Sequence, residues 1–424
     1  MSRTMNSLAI GGAVAVVATL ALSGCSTPTT GGPGTSAPTG PTEGAQASAV
    51  TICTSKSNGV FDFLAEKYNA QSDGVTLKAT ELGTNADETR TQMIQRLEGG
   101  SSDCDIYMLD GTWVGEWAPQ KWILDLGEVG KDVSENLFPS VFASGQYDGT
   151  QWAIPFYTNA GLLYYRTDRV PEPTSWQQIY KVAAESPDNR TMQQLMPYEG
   201  LTVNFLEILY SNGGSVLDDS GKVVVNSPEA LEALELMVQS MKNGAIDRAS
   251  LTYDEASSRM AFESGQGGYL RGWPSAFGGI QESKIADQVG VASLPAFKDG
   301  TTPTPVLGGW NMAIGAASKN PEAAADVIRF AVSPEFQKQM FIDFLQAPVV
   351  PAVYDDAAVQ EAIPTAQKIK AAVGAARPRP ATPVYAQVSR AIYENVYEAL
   401  QGNLSAEEAL TKMAADIETA QATF

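Results

Sequence analysis

The chain has 424 residues, more than one domain of roughly 150 residues needs, and 44% of them are hydrophobic, enough for two cores. Its 48 acidic residues outnumber the 28 basic ones, which argues against a nucleic-acid-binding protein, because such a protein needs a basic face. Histidine is absent, which excludes catalytic triads, metal sites and pH switches that are built on histidine.

Residues 1–24 predict a signal peptide. Arg3 precedes an apolar run at 8–22 that is too short for a comfortable membrane span. The run ends in the tetrapeptide Leu-Ser-Gly-Cys, which resembles the lipobox of bacterial lipoproteins, whose cysteine is lipidated and becomes the mature N-terminus. We therefore predict a lipid on Cys25 that anchors the protein to the outer face of the cell membrane.

Residues 25–49 predict a flexible tether. After Cys25 this segment consists almost entirely of Ser, Thr, Gly, Pro and Ala, and Glu43 is its one charged residue. Such a segment has no apolar period and cannot form a core. The tether would hold the folded body clear of the membrane surface.

The folded body opens with alternating strands and helices. Strands are predicted at 49–53, 75–82 and 105–109, and helix-period segments at 60–68 and 87–98 separate them. This alternation predicts a parallel sheet covered by helices on both faces. Ligands bind such sheets at the carboxyl ends of the strands.

Two cysteines remain in the folded body. Cys53 and Cys104 could pair in an oxidising compartment. The strand pattern, however, sets Cys53 late in one strand and Cys104 at the start of another, which would separate their Cα atoms too far for a disulfide. We therefore expect two small buried thiols, and a disulfide is the alternative.

The segment 154–166 predicts a hinge between two lobes. Pro155 cannot donate to a central ladder, so a first strand should end about there. The apolar run 162–165 then predicts a buried strand that starts a new sheet. Thr158 and Asn159 lie between the two runs, and polar residues at a hinge face the cleft where small ligands bind.

Helix caps mark the second half of the chain. Ser175 predicts an N-cap, and Ser227 and Ser333 are each followed by proline at the first helical position. Ser405 and Glu408 form a predicted capping box before the final helix.

Motifs for common cofactors are missing from the sequence. It contains no CxxC, no Walker loop and no GxSxG, and GxGxxG does not occur after a strand. We predict no cofactor, no metal site and no enzymatic activity.

The candidate ligand-binding residues are aromatic, amide, carboxylate and guanidinium side chains. Carboxylates, amides and guanidinium groups hydrogen-bond sugar hydroxyls, and indole faces stack on the C–H face of a pyranose. Each residue also has a structural interpretation, as a turn, core or surface residue. Together they favour a neutral carbohydrate ligand; they are Asp110, Trp113, Tyr157, Asn159, Trp273, Trp310 and Arg377.

The order of these features resembles the family 1 extracellular solute-binding proteins, the carbohydrate-capturing subunits of ABC importers. The resemblance extends from Val50 to about Ala420, and within the family the chain is most similar to the trehalose- and maltose-binding lipoproteins. The segments that carry it are 104–110, 152–155, 161–166, 260–265, 271–274, 294–295, 308–311, 375–378 and 382–385.

The resemblance implies an α/β, two-lobed periplasmic-binding-protein-like fold. Each lobe is expected to be a mostly parallel sheet flanked by helices, and hinge strands join the two. Ligand is enclosed between the lobes. The implied division assigns residues 50–155 and 298–349 to lobe 1, and residues 156–297 and 350–424 to lobe 2.

The resemblance also implies a role for each candidate residue. Asp110 binds sugar hydroxyls from lobe 1, Trp273 stacks from lobe 2, and Trp310 closes one side. Tyr157 and Asn159 contribute near the hinge. Arg377 reaches hydroxyls from the C-terminal segment, and Trp113 belongs to the matching pattern around Asp110.

The implied function is capture without catalysis. A lipid-anchored monomer closes on a neutral di- or oligosaccharide of the trehalose or maltose type and delivers it to the transmembrane subunits of a permease. Leu270 and Gly272 stand where some relatives carry an acid or amide, and the loop 55–58 lacks a carboxylate found in several sugar binders. These departures leave the particular sugar open.

Two alternatives remain. One is a secreted glycosidase, which needs two carboxylates about 5–10 Å apart; Asp110 with Glu116, or Asp87 with Glu88, are the candidate pairs. The other is a binding protein for a solute other than a sugar.

Overall fold

The computed structural model describes residues 48–57, 59–83, 85–218 and 220–423. The predicted signal peptide at 1–24, the lipidation site Cys25 and most of the tether lie outside the described residues. The last two tether residues, 48 and 49, already belong to the first strand. None of the helices in the described ranges has both the length and the hydropathy that a bilayer crossing requires.

Six strands of the described chain form the first sheet, in the order β12-β6-β11-β3-β1-β2. β1 runs parallel to both β2 and β3, as the strand–helix alternation predicts. The strands of this sheet are β1 (Ser48–Thr54), β2 (Val75–Glu81), β3 (Ile106–Asp110), β6 (Ile154–Ala160), β11 (Leu307–Ile314) and β12 (Ala347–Pro348).

A second sheet has the strand order β10-β7-β9-β8. Its strands are β7 (Leu162–Arg166), β8 (Thr191–Met192), β9 (Tyr269–Gly272) and β10 (Val289–Ser293). A separate hairpin joins β4 (Gln146–Tyr147) to β5 (Thr150–Gln151).

Both sheets are mixed, whereas the expectation was mostly parallel strands. β11 runs antiparallel to β3 and to β6, and β7 runs antiparallel to β9 and to β10. A simple alternation of strands and helices would make all strands parallel. β6 and β11 instead belong to segments that pass between the two sheets, and they run antiparallel to each other in the first sheet.

The chain passes from the first sheet to the second at Gly161, between β6 and β7, which confirms the predicted change of sheet. The expectation that β6 ends at Pro155 is wrong, because β6 continues to Ala160. The register of β6 against β11 shifts between Trp310 and Asn311, the partner of Pro155. A bulge of this kind accommodates a proline that cannot donate to the ladder.

Helices cover the two sheets. Ser227 and Ser333 cap helices that start at proline, and Ser405 and Glu408 form the predicted capping box. The helices are α1 (Val60–Asn69), α2 (Ala86–Glu98), α3 (Val114–Trp117), α4 (Gly127–Val133), α5 (Pro139–Phe142), α6 (Trp176–Ala183), α7 (Glu199–Ser211), α8 (Pro228–Lys242), α9 (Glu255–Glu263), α10 (Ala276–Gln281), α11 (Pro321–Ala331), α12 (Pro334–Phe344), α13 (Ala357–Ala362), α14 (Ala366–Ala375), α15 (Tyr385–Gln401) and α16 (Ala406–Gln421).

Cys53 and Cys104 form a disulfide, so the expectation of two free thiols is wrong. Their Cα atoms are 5.7 Å apart, within the range that a disulfide requires. β3 begins only at Ile106, so Cys104 lies in the preceding loop. A loop residue is not held to the strand register that the prediction assumed.

Candidate ligand-binding site

A cavity of about 600 Å³, here called the central cavity, is lined by residues from both sheets. The loop 55–57 after β1 and Tyr157 of β6 come from the first sheet, and Trp273 follows β9 of the second. Its volume lies in the range of about 300–1,000 Å³ that small-molecule sites occupy. The loop after β1 is at the carboxyl end of that strand, where the sequence predicts a ligand to bind.

The charged side chains that line the central cavity balance one another. Three are basic and three are acidic, so a ligand there meets no dominant sign of charge. These side chains are Lys56, Arg259, Arg271, Glu255, Glu282 and Asp343.

Trp273 is held at the central cavity from two directions. The guanidinium of Arg271 lies 3.9 Å from the centroid of its ring. The hydroxyl of Tyr164 donates a hydrogen bond of 2.8 Å to the Trp273 carbonyl oxygen. A Cβ built on Gly308 would lie 3.1 Å from Trp273 Cη2, so the indole also comes close to the start of β11.

A second cavity of about 230 Å³, the side cavity, is lined by residues that follow β3, by Gly308 and Gly309 of β11, and by Arg379. Tyr157 lines this cavity as well as the central one. Burial and the charge of Asp110 raise the pKa of the Tyr157 hydroxyl well above its usual range. Tyr157 therefore offers a neutral hydroxyl, able to donate and to accept, at the meeting point of the two cavities.

Asp110 ends β3 and is engaged by a residue that the sequence analysis missed. Arg379 Nη2 donates to Asp110 Oδ1 and Oδ2 at 2.7 and 2.8 Å. The amide and hydroxyl of Thr112 donate to Oδ1 as well. Arg379 Nη1 donates to Glu199 Oε1 at 2.7 Å, which ties the end of β3 to the start of α7.

Arg377 does not join this group. Its Nη1 donates to the carbonyl oxygen of Gly214 at 3.1 Å and its Nη2 to Ser215 Oγ at 2.8 Å. The guanidinium also lies over the ring of Tyr210, 4.3 Å from the centroid. These contacts hold Arg377 on the second lobe, and it lines neither of the two cavities. The Arg-Pro-Arg-Pro repeat at 377–380 was the signal that could have identified Arg379.

Trp113 and Trp310 form an aromatic cluster beside Asp110. Trp113 is buried, stacks on Trp117 at 5.7 Å between ring centroids and meets Trp310 edge-on at 5.4 Å. Trp310 is partly exposed, and in the sheet it lies on β11 directly opposite Asp110 of β3. Trp113 therefore supports Trp310 from behind, and neither indole lines either cavity.

Asn159 carries a buried oxygen without a partner. Its Oδ1 accepts no hydrogen bond from any described residue, although the atom is inaccessible to solvent. Asn159 lies opposite Gly308, which borders the side cavity. Buried polar atoms are normally satisfied, so this oxygen has an open requirement for a donor.

The chain is similar to known transport proteins over most of its length. The sequence profile of the family described as "Bacterial extracellular solute-binding protein" matches residues 64–367. A Deinococcus radiodurans protein named "Probable ABC transporter-binding protein" is 32% identical over an alignment of 381 residues, and the alignment covers 84% of this chain and 90% of that protein. The mannitol-binding protein of Pseudomonas aeruginosa is 26% identical over an alignment of 318 residues, which covers 69% of this chain and 70% of that protein.

Solved structures share the fold. Maltose-bound MalE3 of T. maritima matches with a TM-score of 0.83 and 31% identity, over 88% of this chain and 100% of that one. A solute-binding protein of Agrobacterium radiobacter in complex with ribitol matches with a TM-score of 0.80 and 22% identity, over 89% and 99%. These matches confirm the predicted two-lobed α/β class.

Proposed function

Since the chain belongs to the bacterial extracellular solute-binding protein family and serves an ABC transporter, we propose that it captures a neutral di- or oligosaccharide of the trehalose or maltose type. The sugar binds between the two lobes, whose closure produces the form that the transmembrane subunits of the permease recognise. The protein works as a monomer and catalyses no reaction on its ligand.

The position of Trp273 carries this proposal. One face of its indole is covered by Arg271, and the residue borders the central cavity. The opposite face is the surface on which a pyranose would stack through its C–H groups, with large apolar contact and little loss of side-chain entropy. The balanced charges of the central cavity suit a ligand without net charge.

Polar groups around Tyr157 supply hydrogen bonds to the sugar. The unpaired oxygen of Asn159 accepts from a hydroxyl, and the neutral Tyr157 hydroxyl both donates and accepts. The Asp110 carboxylate accepts a hydrogen bond from a sugar hydroxyl while it still accepts one from Arg379. Trp310 closes one side of the site.

Two of the seven candidate residues act from behind the site in this proposal. Trp113 holds the orientation of Trp310 through their edge contact. Arg377 fixes the C-terminal segment that carries Arg379. The backbone amide of Arg377 donates to the carbonyl oxygen of Pro305, just before β11, and its carbonyl oxygen accepts from the amide of Leu307, the first residue of β11. We assign the guanidinium that approaches the ligand to Arg379.

The lipid anchor on Cys25 belongs to the same proposal. Its support is the lipobox-like ending of the apolar run, together with a family that works outside the cytoplasm. Radiolabelled palmitate should enter the protein in its host, and Cys25→Ala should abolish both the labelling and membrane retention. Labelling of Cys25→Ala equal to the wild type would overturn the anchor.

Calorimetry on a ligand panel tests the proposed function. Maltose and trehalose should bind to the purified protein, whereas glutamate, spermidine and Ca²⁺ should not. Binding of a charged solute with no response to any sugar would overturn the proposal. The glycosidase alternative predicts new sugar products after overnight incubation, which chromatography would detect, and we expect none. The carboxylates of Asp110 and Glu116, one of the candidate pairs for that alternative, are each hydrogen-bonded to an arginine.

A further inference from the structure

A buried ion pair lies directly behind Trp273. Arg271 and Glu207 are each 1% exposed. Arg271 Nε donates to Glu207 Oε2 at 2.8 Å and Nη2 donates to Oε1 at 2.5 Å. The pair joins β9 to α7 inside the second lobe. A buried ion pair is weak evidence for stability, because desolvation of the two charges offsets their attraction.

The pair is fixed on every side by polar contacts. Arg271 Nη1 lies 3.4 Å from Gln194 Oε1, and Gln194 Nε2 donates to the carbonyl oxygen of Arg271 at 2.9 Å and to Ser258 Oγ at 2.7 Å. Burial raises the pKa of Glu207, and the charge of Arg271 opposes that rise. These contacts leave the guanidinium no freedom to turn away from the ring of Trp273.

The same pair lies against two segments that connect the two lobes. A Cβ on Gly161, the residue between β6 and β7, would lie 2.3 Å from Glu207 Oε1 and 3.0 Å from Arg271 Nη2. It would also lie 2.6 Å from Leu294 Cδ1, at the exit of β10. The backbone amide of Val306, just before β11, acts on the Glu207 carboxylate and lowers its pKa. The pair is therefore packed between the connecting segments and the indole.

We propose that Arg271 and Glu207 are positioning residues for ligand binding. Arg271 fixes the plane of the Trp273 indole by stacking on one face, and Glu207 holds Arg271 against the connecting segments. A cation stacked on an indole at this distance is attracted to the ring face, most strongly where water is excluded. The inference rests on the proposed role of Trp273 in sugar binding.

A matched set of variants separates positioning from stability. Arg271→Met combined with Glu207→Gln removes the stack without leaving a buried charge unpaired. Arg271→Lys keeps the charge but loses the planar group. The control is Arg166→Met combined with Asp168→Asn. Arg166 is a buried arginine of β7, 3% exposed, whose Nε and Nη2 donate to Asp168.

The first measurement needs no ligand. The protein is labelled with 5-fluorotryptophan, and the ¹⁹F resonance of Trp273 is assigned by its loss in Trp273→Phe. We expect one sharp resonance in the wild type and the control pair, and a shifted, broadened or split resonance in both Arg271 variants. An unchanged Trp273 resonance in folded Arg271 variants would overturn the proposal.

The second measurement is calorimetric affinity for maltose and trehalose. Both Arg271 variants should bind about ten-fold more weakly or worse, and the control pair should bind within about two-fold of the wild type. Equal losses in the control and the Arg271 variants would contradict a specific positioning role. If the wild type binds neither sugar, the proposed ligand class fails, and the fluorine spectra still decide whether Arg271 positions Trp273.

Discussion

Arg379 Nη2 donates to both carboxylate oxygens of Asp110, and Arg379 Nη1 donates to Glu199. Asp110 belongs to the first sheet, and Glu199 starts a helix that packs in the second lobe. One guanidinium thus connects the two lobes beside the cavities. Charge-assisted bonds of this kind are stronger than neutral ones and fix geometry.

Asp110→Asn should weaken sugar binding. The change removes the negative charge that accepts from both Arg379 and a sugar hydroxyl, and we expect affinity to fall by about ten-fold or more. Calorimetry with maltose and trehalose measures the loss. Asp355→Asn, which breaks a surface pair with Lys370, is the control and should leave affinity unchanged. Wild-type affinity in Asp110→Asn would remove Asp110 from the site.

Asn159→Leu should separate binding from stability. The buried Oδ1 of Asn159 has no partner among the described residues, so an apolar side chain of similar size should leave the free energy of unfolding almost unchanged. Sugar affinity should fall, because a hydrogen bond to the ligand is lost.

The control for Asn159 is Asn395→Leu. Asn395 is buried, and its Nδ2 donates to the Ala391 carbonyl oxygen and to Asp416. This variant should lose stability in urea unfolding and keep the affinity of whatever folded protein remains. A large stability loss in Asn159→Leu with normal affinity would contradict the assignment of Asn159.

Glu199 predicts a distinct pH dependence of stability. Burial raises its pKa, and the charge of Arg379 opposes that rise. The folded protein therefore holds this proton at pH values where the unfolded chain, with a pKa of 4.5, has lost it. The contribution of Glu199 to stability is then fully present below about pH 4.5 and is lost as the pH rises through the folded pKa.

Urea unfolding of the wild type and Glu199→Gln at several pH values from 4 to 7 measures this contribution. The stability of the wild type relative to Glu199→Gln should decrease as the pH rises. Glu394→Gln, which makes the same change of carboxylate to amide in an exposed pair, is the control variant. A difference that grows with pH would mean that the attraction of Arg379 outweighs burial.

The disulfide between Cys53 and Cys104 should contribute substantially to stability. The cysteines are 51 residues apart in sequence, and closing a loop of that length corresponds to about 4 kcal/mol in the chain-entropy description. Urea unfolding with and without reductant measures the effect. Alkylation of both cysteines in unfolded, unreduced protein would show that the bond is absent.

Local signals in the sequence predicted much of the fold. Ser227 before Pro228, and Ser405 with Glu408, set helix starts through contacts within a few residues, so the caps were found where the structure has them. The change of sheet after Asn159 was also predictable, because an apolar run resumes directly after the polar break.

Contacts between distant segments could not be predicted in the same way. Cys104 reaches Cys53 because a loop folds back, and a strand pattern contains no information about that path. Pro155 stays within β6 because its partner strand bulges at Trp310. Arg377 and Arg379 are two residues apart in one Arg-Pro repeat, and only the packing of α7 and β3 around them decides which guanidinium meets Asp110.

Trp273→Ala, measured by calorimetry with maltose and trehalose, tests the central claim most directly. Trp152→Ala is the matched control, because Trp152 is a partly buried indole that lines neither cavity. If a saccharide stacks on Trp273, the Trp273→Ala protein should bind these sugars at least about ten-fold more weakly, while Trp152→Ala should bind them as the wild type does. Unchanged affinity in a correctly folded Trp273→Ala protein would contradict it.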